Sequence, residues 1–238
     1  MLLKAFAAAT MLVATAPLNA AVIGDFRLDG SLANQAGGAL TLTNNGANLG
    51  ATGLTFGVDQ GPTISGFSSP SDFSIEFRFT LDKVVGYNKL VDFLDRSADA
   101  GVYALDGKLS FYPCCSSAHV FLANQAATLV LTRNSAGSLL GYVDGTQILQ
   151  MDNAGQTALA SNLHFFRDDF QTSGEVSSGF VDYIRIYDTA LSASEVAALT
   201  PPGAVPVVPE PATWAMMIAG FGLAGAAARR RRPAHALA

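Results

Sequence analysis

Between residues 73 and 81 apolar and polar side chains alternate without a break, Phe73, Ile75, Phe77, Phe79 and Leu81 interleaved with Ser74, Glu76, Arg78 and Thr80. Period two predicts a β-strand with one face on a core and the other in water, which makes Glu76 a solvated residue beside Arg78. Apolar runs at 102–105, 108–112, 129–132, 139–143, 146–149 and 180–187 predict further strands. Asp106-Gly107 and Asp144-Gly145 each separate two of these runs, and Asp-Gly suits a type I′ hairpin because both central residues need positive φ. Helix signal is confined to Ser192-Ala193-Ser194-Glu195, a capping box that predicts one short helix through Leu199. Many short strands separated by polar turns predict an all-β chain, an antiparallel β-sandwich of jelly-roll type with one short C-terminal helix.

Both ends break the pattern. Lys4, the apolar stretch Ala5–Pro17 and the small-residue exit around Leu18-Asn19-Ala20-Ala21 describe a secretory signal peptide over 1–20, cleaved by signal peptidase after Ala20 or Ala21. After the stiff Pro-rich linker 201–208 come Pro209, Glu210 and Pro211, then an uncharged run from Trp214 to Ala228. That run falls short of the roughly 20 residues of a permanent membrane span. Trp214 stands where an interfacial aromatic would, and Arg229, Arg230, Arg231 and Arg232 form a positive-inside stop before the short tail 233–238. The expectation is a short transmembrane helix at 214–228, with everything before it outside the cytoplasm. Gly220, Gly222 and Gly225 fit G-x-G-x-x-G, but neither a crossover helix nor a downstream acidic residue follows, so a dinucleotide site is rejected.

Pro209-Glu210-Pro211, Trp214-Ala215-Met216-Met217-Ile218, the Gly-Phe-Gly run and the arginine cluster together resemble a PEP-CTERM sorting signal over 209–232. The resemblance implies recognition by exosortase, a membrane-embedded transpeptidase of Gram-negative bacteria. It also implies transient insertion in the inner membrane, then delivery to the cell surface or extracellular matrix. A second resemblance covers residues 21–200. Phe26-Arg-Leu-Asp29-Gly-Ser-Leu32, Asp72-Phe-Ser-Ile-Glu-Phe77, Gly141-Tyr-Val-Asp-Gly145 and the closing Gly179–Glu195 segment resemble laminin-G-like, concanavalin A-like jelly rolls of bacterial surface proteins. That resemblance implies a binding module.

Half of the 238 residues are apolar and the net charge is −5, so the chain is neither disordered nor a nucleic-acid binder. Residues 21–208 carry nine basic against eighteen acidic side chains, an acidic surface with little affinity for anionic polymers. β-Glucan-cleaving relatives of the fold alternate several carboxylates along one strand, whereas the strand around Glu76 offers one, so no catalytic residue and no enzyme activity are expected. His119, His164 and His235 are too scattered for a metal cluster. Asp182, in phase with Phe180, Ile184 and Ile186, falls on the apolar face of its strand and needs a partner there. A structural calcium shared with Asp25 is one answer; a structural aspartate meeting Arg27 is the plainer one. Cys114 and Cys115 are adjacent, which leaves a vicinal disulfide, an intermolecular pair or free thiols. Tyr87, Tyr103 and Tyr112, with Phe165-Phe166, lie near loops or strand ends where an aromatic ring can stack on a sugar, although core packing is the commoner use. The reading is an exported, non-catalytic protein that binds a glycan such as exopolysaccharide. A divergent glycoside hydrolase on the same fold and a purely structural biofilm or envelope component are the alternatives.

Overall fold

Alternation fixes strands and Asp-Gly fixes turns, and both devices appear where the sequence places them. The computed structural model describes residues 20–68, 70–152 and 157–199; the expected signal peptide up to residue 19, the linker at 201–208, the expected transmembrane helix at 214–228 and the sorting segment lie outside the described residues. The chain runs through β1 (Val22–Phe26), β2 (Thr41–Thr43), β3 (Asn48–Leu49), β4 (Leu54–Phe56) and β5 (Thr63–Ser65) to the alternating strand β6 (Phe73–Leu81). It continues with β7 (Tyr87–Asp92), β8 (Gly101–Leu105), β9 (Lys108–Tyr112) and β10 (Cys115–His119). A second meander follows, β11 (Ala126–Arg133), β12 (Leu139–Val143) and β13 (Thr146–Met151), before β14 (Asn162–Phe165), β15 (Gly179–Tyr187) and the helix α1 (Ala193–Ala197). In the two hairpin turns φ is 48° and 75° at Asp106 and Gly107, and 47° and 80° at Asp144 and Gly145.

Two antiparallel sheets result. The first has the order β13-β12-β11-β6-β15-β4-β3, with β1 also paired to β15; the second has the order β10-β9-β8-β7-β14-β5-β2. Their inner faces meet in one core, where Phe77 packs edge-on against Phe165 at 5.2 Å and Phe56 stacks on Phe166 at 4.2 Å. Phe165-Phe166 is therefore core.

The other face of the first sheet is not simply solvated. Ser192 caps α1 with a complete capping box, and Val196 packs with Leu191, Val130, Tyr142 and Tyr187 on that face. Under this cover Glu76 is 1% exposed and accepts hydrogen bonds from the Tyr183 and Tyr187 hydroxyls at 2.7 and 2.6 Å, with Arg185 Nη1 at 3.8 Å. The solvated Glu76 expected from alternation is thus corrected: a polar residue on the non-core face is buried when a later segment folds over it. Asp182 is corrected for a different reason. A bulge between Val181 and Tyr183 shifts the register of β15 against β6, and the buried set becomes Val181, Ile184 and Ile186. Asp182 leaves the apolar face and lies 3.8 Å from Arg78 Nε, part-exposed, its pKa raised by burial against the pull of that guanidinium.

Candidate functional site

The outer face of the second sheet is built from the residues that alternate with its core positions. Val102 and Ala104 of β8 and Leu109 and Phe111 of β9 point inward, so Tyr103 and Ser110 point outward. Register places Lys89, Tyr103, Ser110 and Ser116 in one row across four strands. On the same face as Tyr103 of that row lie the other two tyrosines singled out in the sequence, Tyr87 and Tyr112. Tyr87 meets Tyr103 edge-on at 5.4 Å and Tyr112 edge-on at 6.2 Å. Only two are accessible, since Tyr87 is 39% and Tyr112 38% exposed whereas Tyr103 is fully buried. Tyr103 is thereby removed from the ligand-contacting set and becomes the support on which Tyr87 rests.

A cleft of about 230 Å³ opens beside these rings, between Tyr87, Tyr112, Pro113 and the Cys114–Cys115 pair, with Leu105, Ser110, Phe111 and Ser116 completing the lining. The two cysteines are joined to each other as a vicinal disulfide. Ser110 Oγ and Ser116 Oγ are 2.7 Å apart, a hydroxyl pair that can both donate and accept. None of the lining residues is charged.

Beneath Tyr103 the same face holds a buried ionic network. Lys89, wholly buried, has its ammonium against Asp169 Oδ2, 3.4 Å from Glu175 Oε2, 3.9 Å from Asp92 Oδ2 and 4.8 Å from the centre of the Tyr103 ring. The Tyr103 hydroxyl donates to Glu175 Oε2 at 2.7 Å. Asp92 ends β7 itself, whereas Asp169 and Glu175 come from the segment between β14 and β15, which is stitched to β7. Lys89 N–H donates to the Glu175 carbonyl at 3.1 Å, and Ser177 Oγ donates to the Lys89 carbonyl at 3.0 Å. Within the segment Asp169 Oδ1 accepts from Gln171 and Thr172, and Asp168 Oδ2 from Gly174 and Glu175.

Burial raises the pKa of Glu175, opposed by the Tyr103 hydrogen bond and Lys89, and burial likewise raises Asp92. Burial also works against the Asp169 carboxylate, but Lys89 and the Thr172 and Gln171 N–H groups outweigh it and hold its pKa below the usual range. Burial next to Glu175 drives the Tyr103 phenol far up, so it stays a donor. Asp99, Asp169 and Glu175 bring one oxygen each within 4.8 Å of one another, an arrangement that could suit a cation, but the Lys89 ammonium already sits against two of them.

The calcium pair of Asp25 and Asp182, the alternative weighed in the sequence, is not brought together. Asp25 contacts Arg27 at 3.1 Å and Arg185 at 3.2 Å, and its backbone pairs opposite Arg185, three residues along β15 from Asp182. Three residues of strand span about 10 Å, whereas oxygens sharing one calcium sit about 2.3–2.6 Å from it. Arg27 accordingly meets Asp25, and Arg78 meets Asp182. A larger cavity of about 420 Å³ lies where β1 meets the loops around Gly37 and Phe67, lined by Val22, Ile23, Leu40, Phe73 and Ile186. It is mainly apolar, with Ser68, Tyr187 and Asp188 as its polar lining.

Lys89, Asp92, Asp169 and Glu175 were not legible as a group, because residues 80 apart meet only through the crossing of loop and sheet. The one local signal was Asp168-Asp169, two adjacent carboxylates in a strand-poor segment.

Residues 207–232 match the PEP-CTERM protein-sorting motif, which marks the chain as exported and sorted to the cell surface. No curated protein matches the chain. Among solved structures it is similar to domain 4 of an extracellular arabinanase from Geobacillus stearothermophilus, determined in complex with arabinotriose. Identity is 14% and the TM-score 0.52, over 75% of this chain and 98% of that one. It is similar to Trypanosoma rangeli sialidase at 18% identity and TM-score 0.58, covering 74% of this chain and 32% of the sialidase. A third similarity, at 13% identity and TM-score 0.56, is to botulinum neurotoxin type C, whose cell entry depends on interaction with two ganglioside molecules; 75% of this chain and 50% of that chain are covered. The chain thus spans about a third of the sialidase and half of the neurotoxin chain. At these identities the shared property is the β-sandwich fold.

Proposed function

We propose that the protein is an exosortase-sorted surface or matrix component whose sandwich binds an uncharged glycan, without catalysis, in the cleft between Tyr87 and Tyr112. One observation carries the reading: two part-exposed tyrosine rings and a disulfide wall flank a serine hydroxyl pair in an uncharged cleft on a well-braced sheet face. A sugar ring has an apolar C–H face that packs on aromatic and disulfide surface, and hydroxyls that exchange hydrogen bonds with Ser110 and Ser116. At about 230 Å³ the cleft is smaller than the roughly 300–1,000 Å³ of an enclosing small-molecule pocket, which suits one exposed residue of a longer polymer. The arabinotriose complex of one structural neighbour and the ganglioside dependence of another support a saccharide ligand. The nearby carboxylates of Asp169 and Glu175 support a non-catalytic reading, because Lys89 and Tyr103 engage them away from solvent.

The test is calorimetric titration of the exported protein with uncharged oligosaccharides from its host's matrix, together with an assay for released reducing ends. Tyr87→Ala and Tyr112→Ala should each weaken binding about tenfold, or about 1.4 kcal/mol, with the melting temperature little changed. Unaltered affinity in both variants overturns the site. Reducing ends released by wild type and abolished in Glu175→Gln would overturn the non-catalytic reading in favour of a glycoside hydrolase.

A further inference from the structure

Ala21, the first residue after one of the two candidate cleavage bonds, is already bound to the end of β15. Its backbone nitrogen donates to Asp188 Oδ1 at 2.9 Å, and the Asp188 N–H donates back to the Ala21 carbonyl at 3.1 Å. Val22 then pairs with Tyr187, and β1 continues to Phe26, whose ring is wholly buried, and to Asp25, which meets Arg185. Among the described residues Ala21 is therefore the outermost one hydrogen-bonded to the sheet at this edge; Ala20 before it only packs against the cluster around Tyr187 and Val196.

We infer that signal peptidase cuts the Ala20–Ala21 bond and that the amine it releases closes an ion pair with Asp188, latching β1 onto β15. Hydrolysis adds water across the bond. The hydroxyl goes to the Ala20 carbonyl, which leaves as a carboxylate, and hydrogen goes to the Ala21 nitrogen. With an α-amino pKa of about 7.7–8.0, that nitrogen is protonated at neutral pH. The neutral amide donor facing Asp188 becomes an ammonium with three donors and a full charge, the stronger, charge-assisted kind of hydrogen bond. Cleavage one residue later would remove the Ala21 carbonyl that Asp188 N–H uses and leave the carboxylate without its donor. The precursor, with an amide at this place, lacks the ion pair, so full stability arrives only with processing.

This inference rests on the export reading, and the experiment separates the two. Protein exported by its host is sequenced from the N-terminus and melted as wild type, as Asp188→Asn, and as each of these with one glycine inserted after Ala20. The inserted glycine moves the α-ammonium about 3.5 Å outward. The expected results are a first residue of Ala21 without the insertion and of the inserted glycine with it, and a melting temperature lowered by about 1–3 °C in Asp188→Asn. Asp188→Asn should have at most a fraction of that effect in the glycine-inserted protein, and 1 M salt should shrink the difference. A first residue of Val22 overturns the cleavage bond, and an equal Asp188→Asn effect in both backgrounds overturns the ion pair. Retention of Met1 overturns the export reading itself.

Discussion

Tyr103 and Tyr87 share one sheet face, yet only Tyr87 is placed to touch a ligand, because Tyr103 is sealed between it and the Lys89 ammonium. The two therefore respond differently to substitution. Tyr103→Phe keeps the ring edge that supports Tyr87 but leaves buried Glu175 without its hydroxyl donor. Thermal unfolding should show a loss of about 1–3 kcal/mol, with glycan affinity within a factor of about three. Lys89→Met is harsher, since Asp169 and Glu175 would be left buried without a cation. It should cost about 3–5 kcal/mol in a denaturant titration and lower the yield of folded protein. Neither outcome is legible in the sequence, where Tyr103 reads as a candidate sugar-stacking ring and Lys89 falls between the predicted strands. Alternation gives the face on which a side chain emerges but not what a later segment lays over that face. Glu76 and Tyr103 were both misplaced for this reason, and Asp182 because one bulged residue shifts every side chain beyond it.

Short-range chemistry made some elements readable. The Asp-Gly hairpins and the Ser192 capping box are settled within four residues of chain, and Ser192→Ala should cost about 1 kcal/mol, measured by chemical unfolding. β2 to β5, at two or three residues each, are too short to show a period, so they emerge only from pairing with longer partners. Gly61, beside β5, marks such a close approach: a Cβ there would lie 1.9 Å from the Phe165 carbonyl oxygen, so Gly61→Ala must push β14 away. β14 also carries a pH-sensitive contact. His164 is bonded through Nδ1 to Thr63 Oγ1 at 3.0 Å and faces Asp95 and Asp92, with Arg167 nearby. Burial, with Arg167 adding to it, lowers its pKa from the usual 6.5 despite the two aspartates. Between that lowered value and 6.5 the unfolded chain binds more protons than the folded one. Stability contributed by neutral His164 is therefore full above about pH 6.5 and is lost as pH falls towards the folded value. The raised Asp92 and Glu175 carboxyls act in the opposite sense, favouring the folded state as they protonate, so the difference between wild type and His164→Gln reports the histidine together with its coupling to Asp92. Melting curves from pH 7.5 to 5 should fall less steeply in the variant.

At the scale of the whole molecule, both outer faces are occupied, one by α1 and its flanks and the other by the β14–β15 segment. The tyrosine cleft keeps open access at the end of the second sheet near β10. Its residues fall between 87 and 116, inside the compact unit that ends at Leu199, while the sorting motif falls at 207–232. The proposed glycan cleft and the sorting motif thus lie on separate stretches of chain and should fail separately. Replacing Pro209, Glu210 and Pro211 with alanine, or deleting exosortase, should leave an intact mass that retains the C-terminal segment and lower the amount of protein at the cell surface. Glycan affinity of the purified protein should stay within about twofold of wild type. Tyr87→Ala should do the converse, with normal mass and surface delivery but lost binding. Opening the Cys114–Cys115 disulfide with a mild thiol reductant should resemble Tyr87→Ala, because it breaks the bond that holds one wall of the cleft together and leaves the covalent structure of residues 207–232 unaltered. A sorting-motif variant that lost affinity to the same degree as Tyr87→Ala would show that the C-terminal segment belongs to the binding site, and the division of labour argued from residue positions would fall.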